Sequence, residues 1–128
     1  MLQVNVAQLH EDNREALSLA WVAGREGRTA VRRESAAAAA LIGHLNLTHP
    51  NSVQVIGTYE AGDVASLAER LFAAAPAAVV CADAVPPTPQ LLAEAERTRT
   101  PLFTSPLPAA RVIEKLANYL AKRLADTT

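Results

Sequence analysis

From residue 53 onward, short apolar runs take turns with longer amphipathic ones. Val53-Gln-Val-Ile-Gly57 is a β-branched run closed by glycine and predicts a strand. Asp63 then stands as an N-cap for a helix over about 64–75, with Leu67, Leu71 and Phe72 on one face. Ala78-Val-Val-Cys-Ala82 predicts a second strand, and its lack of alternation implies burial on both faces. Thr88-Pro89 starts another helix, the hydroxyl capping and the proline taking the first helical position. That helix carries Leu91, Leu92 and Ala95 and ends by Thr98, before a third short strand at Pro101-Leu-Phe-Thr104. The last helix begins between Ser105 and Pro108. Its apolar residues Val112, Leu116, Leu120 and Leu124 form one stripe for the sheet, leaving Arg111, Glu114, Lys115, Lys122 and Arg123 to water.

Three consecutive strand–helix units predict an α/β fold: a three-layer-like module whose small, mostly parallel sheet is flanked by helices and joined by right-handed crossovers. The first half carries weaker signals. Leu2-Gln-Val-Asn-Val6 reads as an edge strand or as the approach to a helix over about 6–18. Trp21-Val-Ala-Gly24 reads as a short strand or the approach to a turn. The alanines from Ala36 to Ala40 favour helix but are too few to form one alone.

At 128 residues the chain is one domain with enough length for a real core. A net charge of −1, with acidic and basic residues interspersed, gives no electrostatic footprint for nucleic acid. One cysteine, Cys81, excludes an internal disulfide, suits a reducing compartment and, within an apolar run, reads as a buried thiol. The N-terminus lacks a basic region followed by an apolar stretch, and no apolar run approaches ~18 residues, so a cytoplasmic, membrane-free protein is expected.

Four constellations bear on chemistry. His44 and His49 lie close together in Leu41-Ile-Gly-His-Leu-Asn-Leu-Thr-His-Pro-Asn51, but without a neighbouring cysteine the ligand set for a metal is incomplete. A polar turn around His49-Pro50-Asn51 is the better reading. Gly24-Arg-Glu-Gly-Arg-Thr29 imitates only the end of a phosphate-binding loop, with arginine in place of lysine, and no dinucleotide fingerprint follows any strand. Cys81 and Ser105 have no histidine nearby and no nucleophile elbow surrounds either, so no catalytic residue is assigned. The carboxyl ends of the parallel strands remain, where open α/β sheets tend to bind ligands. The residues there are Gly57-Thr58-Tyr59, Asp83 and Thr104-Ser105, of which Asp83, Thr104 and Ser105 are the candidates for ligand binding, with Ser105 and the following helix N-terminus placed to receive a small anion. The competing reading makes Asp83 and Ser105 turn or cap residues.

Several stretches together resemble one family: Trp21-Val-Ala-Gly-Arg-Glu-Gly27, the 41–57 segment, the 77–96 segment and the final 101–128 segment. They are similar to the N-terminal domain of bacterial HPr kinase/phosphorylase in its proteobacterial form, over nearly the whole chain. That family reads close to "GHLN-x-IHPNRIQVLG", which Gly43, His44, Leu45, Asn46, His49, Pro50, Asn51, Gln54, Val55 and Gly57 fit. Pro86-Pro87 and the "PL-x-T-x-L" entry to the last helix also match.

The resemblance implies a parent enzyme that phosphorylates a serine of the phosphocarrier HPr with ATP or pyrophosphate and magnesium, and reverses this by phosphorolysis. It implies a hexamer, catalysis in a separate C-terminal P-loop domain, and an N-terminal module similar to a substrate-binding domain of Mur ligases. This chain departs from the family at Ser52, at Thr48 and through the segment after Gly57. It stops about where the family continues into the catalytic domain. The resemblance therefore predicts a non-catalytic regulatory or assembly domain with no cofactor of its own. The alternative is a free-standing α/β module that binds a small anion at its strand ends.

Overall fold

The computed structural model describes residues 3–27, 29–32, 42–44, 52–57, 64–73 and 75–123. Asp63, His49, Leu124 and the alanine run lie outside them, as does the turn around Pro50. Strand β1 (Gln3–Asn5) leads straight into helix α1 (Val6–Asn13), and Asn5 caps it by accepting from the Gln8 N–H at 2.8 Å. The segment thus does both things its sequence allowed. Beyond Asn13 the chain tightens into turns, and Ser18 adopts a positive φ of 50°, so the helix ends well short of residue 18.

Three short strands follow: β2 (Ala20–Ala23), β3 (Ala30–Arg32) and β4 (Ile42–His44). The last two carry no alternation long enough to announce them in sequence. The 53–57 run forms β5 (Val53–Ile56), followed by α2 (Val64–Ala73), β6 (Ala78–Cys81), α3 (Pro89–Thr98), β7 (Leu102–Thr104) and α4 (Ala109–Arg123). Thr88 caps α3 through its hydroxyl, and Arg99 closes it in the left-handed region at φ 55°.

β4, β5, β6 and β7 pair in parallel, and β2 adds to the β7 edge antiparallel. The sheet is therefore mixed at one edge. β1 and β3 form a separate antiparallel pair. A register shift between Trp21 and Ala23 bulges β2, and the Trp21 indole N–H turns back to the Ala23 carbonyl at 3.0 Å. After β2, Gly24 sits at φ 63°, and a Cβ there would lie 2.0 Å from the Thr100 carbonyl oxygen. Only glycine fits that approach.

Both faces of the sheet are covered, which is why β5 and β6 are buried at every position. Ile56, Val79, Cys81 and Leu102 pack with Leu71 and Phe72 of α2 and Leu91 and Ala95 of α3. On the opposite face Val53, Val55, Val80 and Phe103 pack with Leu9 of α1 and Val112, Leu116 and Leu120 of α4. The expected three-layer α/β arrangement is thus present, with α2 and α3 on one side and α1 and α4 on the other. The five charged residues assigned to the wet face of α4 are exposed. No described helix is long and apolar enough to cross a membrane.

Candidate functional site at the strand ends

β6 and β7 are neighbours and parallel, yet the helices that follow them leave toward opposite faces. Their loops must therefore diverge, and such a divergence opens a crevice beyond the strand ends. The β6 loop starts with a tight turn in which the Val85 N–H donates to the Ala82 carbonyl at 3.1 Å. Asp83 and Ala84 occupy its centre at φ 59° and 58°, the mirror-image turn that usually holds asparagine or glycine. Asp83 N–H donates to the Leu107 carbonyl at 2.8 Å, and Ala84 N–H to the Ser105 carbonyl at 3.2 Å. Main-chain bonds thus tie the two loops together.

The three candidate residues meet here, with different environments. Asp83 reaches across to α4, where its Oδ1 accepts the Ala109 N–H at 2.9 Å. A carboxylate at a helix N-terminus satisfies an otherwise open donor and complements the helix dipole. Gly57, closing β5, leaves space for it, because a Cβ there would stand 2.5 Å from Asp83 Oδ2. Ser105 is 1% exposed; its hydroxyl donates to the Leu17 carbonyl at 2.6 Å and accepts the Leu107 N–H at 3.2 Å. Thr104 is half-buried, and its hydroxyl has no hydrogen-bond partner among the described residues. A cavity of about 330 Å³ lies between Ala84–Pro87 on one side and Thr104–Pro106 on the other.

Other described chemistry-bearing groups lie elsewhere. His10 stacks on Phe103 at 5.3 Å and meets Trp21 edge-on at 5.5 Å, while His44 belongs to β4. Among the described residues no group of three or more His, Cys, Asp or Glu is placed to hold a metal. The Gly24 N–H, in the loop that imitated a phosphate cradle, is taken by the Glu96 carboxylate at 2.8 Å. Cys81 is fully buried, and the loss of solvation pushes its thiol up to about 12. Between α1 and α4 the Tyr119 hydroxyl donates to Asp12 Oδ2 at 2.5 Å. This bond, with further help from Gln8 and Arg123, holds the Asp12 carboxyl below its ordinary range, while burial first and Asp12 second push the Tyr119 phenol up.

Two of these relations escape sequence reasoning. The Gly57–Asp83–Ala109 arrangement had one visible signal, a glycine closing a β-branched run. The Asp12–Tyr119 pair had none, since its partners lie 107 residues apart.

Comparison with known proteins places the chain. A family model described as "HPr Serine kinase N terminus" matches residues 4–120. An HPr kinase/phosphorylase of Ralstonia nicotianae is 39% identical over 132 residues, spanning 93% of this chain and 41% of that protein. The HPr kinase/phosphorylase of Paraburkholderia xenovorans is 38% identical, covering 95% of this chain and 42% of its own length. That of Aromatoleum aromaticum is also 38% identical, covering 98% and 43%. The chain therefore spans about two fifths of the length of these relatives. By the family match and the shared identity, the chain belongs to the HPr Serine kinase N terminus family.

Proposed function

We propose that this domain is a non-catalytic regulatory or assembly module of an HPr kinase/phosphorylase. Its parent would phosphorylate and dephosphorylate a serine of the phosphocarrier HPr in the cytoplasm, controlling carbon metabolism as a homo-oligomer, in the family a hexamer. ATP or pyrophosphate with magnesium would act in a separate P-loop domain. The observation that carries this reading is the restricted span of the match: relatives named for the whole activity align with this chain over about two fifths of their length. The residues also favour it. The strand-end polar groups Asp83 and Ser105 are engaged in holding loops and a helix start, and a nucleophile–base pair needs side chains within hydrogen-bond reach.

The test is phosphoryl transfer to HPr. Purified chain, incubated with HPr, ATP and magnesium, is expected to leave the HPr serine unmodified by intact-mass measurement. A relative of full length, run in parallel, is expected to add one phosphate. Transfer by this chain alone overturns the reading.

A further inference from the structure

We propose that the crevice between the β6–α3 and β7–α4 loops binds a neutral, planar heteroaromatic ring, with Thr104 supplying its directional hydrogen bond. This goes beyond the HPr reading and does not rest on it. The location follows from topology, since helices leaving neighbouring parallel strands toward opposite faces open a ligand crevice at their carboxyl ends. The cavity of about 330 Å³ falls at the small end of the range that holds small molecules.

The lining selects the chemistry. Three of its residues, Pro86, Pro87 and Pro106, bring rigid apolar ring faces and no N–H donors, and Val85 adds further apolar surface. Rigid apolar walls of this kind suit the apolar face of a ring. Among the described residues no lysine, arginine or histidine borders the cavity. The helix N-terminus that would attract an anion already holds the Asp83 carboxylate, so a second negative charge would meet repulsion there. This favours a neutral ligand over the small anion suggested by sequence. Thr104, two residues after Leu102 and so on the same, α3 side of β7, borders the cavity with a hydroxyl that no described residue engages. The loops are held ready by the Ala84–Ser105 and Asp83–Leu107 main-chain bonds. Ala84 keeps a left-handed backbone that costs energy for any residue but glycine, and such strain is concentrated at ligand clamps. Pre-formed walls lower the ordering cost of binding.

Amide chemical shifts of the isotope-labelled chain test this, with uracil and nicotinamide as neutral ring probes and inorganic phosphate as the anion. At least one ring probe is expected to shift the Ala84, Val85, Thr104 and Ser105 amides saturably, with phosphate leaving them in place. Thr104→Val is expected to weaken that binding roughly two- to tenfold, the worth of one neutral hydrogen bond, and Thr104→Ser to restore it. Val85→Phe, which fills the cavity, is expected to abolish it and serves where Thr104→Val impairs folding. Absence of saturable shifts with both rings overturns the proposal. So does phosphate binding at these amides, or ring binding that is equal in all variants.

Discussion

Gly57 and Asp83 lie far apart in the chain but share one small volume at the strand ends. A methyl group on residue 57 would push the carboxylate off the Ala109 N–H and uncap α4. Gly57→Ala is therefore expected to destabilise the fold by about 1–3 kcal/mol, the usual cost of overpacking. In an Asp83→Gly background, where glycine accepts the left-handed backbone, the same change should cost much less. Denaturant midpoints of the four proteins read the coupling, and strictly additive losses would contradict the contact. Counting outward from the apolar runs was enough to place Asp83, Thr104 and Ser105 at the strand ends. What they touch was not legible: Ser105 bonds the Leu17 carbonyl 88 residues away, and no local pattern encodes such a partner.

At the scale of elements, legibility followed the length of the periodic signal. α4 declares itself by a four-residue repeat, and Val112, Leu116 and Leu120 are fully buried as that repeat requires. β3 and β4 did not, because Ala-Val-Arg and Ile-Gly-His lack the β-branched or apolar run that marks the equally short β5 and β6, and the antiparallel pairing of β2 leaves no mark on its own sequence. The packing of α4 against α1 adds a pH dependence through Tyr119 and Asp12. Asp12 is held below its unfolded value, so its contribution is present above roughly pH 4 and lost as pH falls through the folded value. Tyr119 is raised, so its contribution is present below roughly pH 10 and lost as pH rises through the folded value. Tyr119→Phe is thus expected to lower the urea midpoint at neutral pH. The gap from the parent protein should narrow toward both extremes, and a gap that ignores pH would assign the loss to packing alone.

For the molecule as a whole, Cys81 is a built-in reporter. It is the chain's one cysteine and sits at the end of β6 with no exposed surface. Its thiol is raised from its ordinary value to about 12, so its preference for the folded state holds at neutral pH and fades as pH climbs past the ordinary thiol range. The thiolate is the reactive form. A disulfide reagent at pH 8 is expected to find no thiol in the native protein and one per chain in denaturant, with native labelling limited by opening of the sheet. Rapid native labelling would mean that β6 is less well covered than described.

The bulge in β2 and the Trp21 indole folded onto the Ala23 carbonyl have a last consequence at this scale. β2 is the outer strand beside β7, and it carries Val22, the one exposed large hydrophobic side chain among the described residues. A flat apolar edge strand is a template on which another chain can polymerise. Here the bulge interrupts the ladder, and the indole N–H holds the Ala23 carbonyl. An edge broken in this way is expected to resist the addition of a further strand.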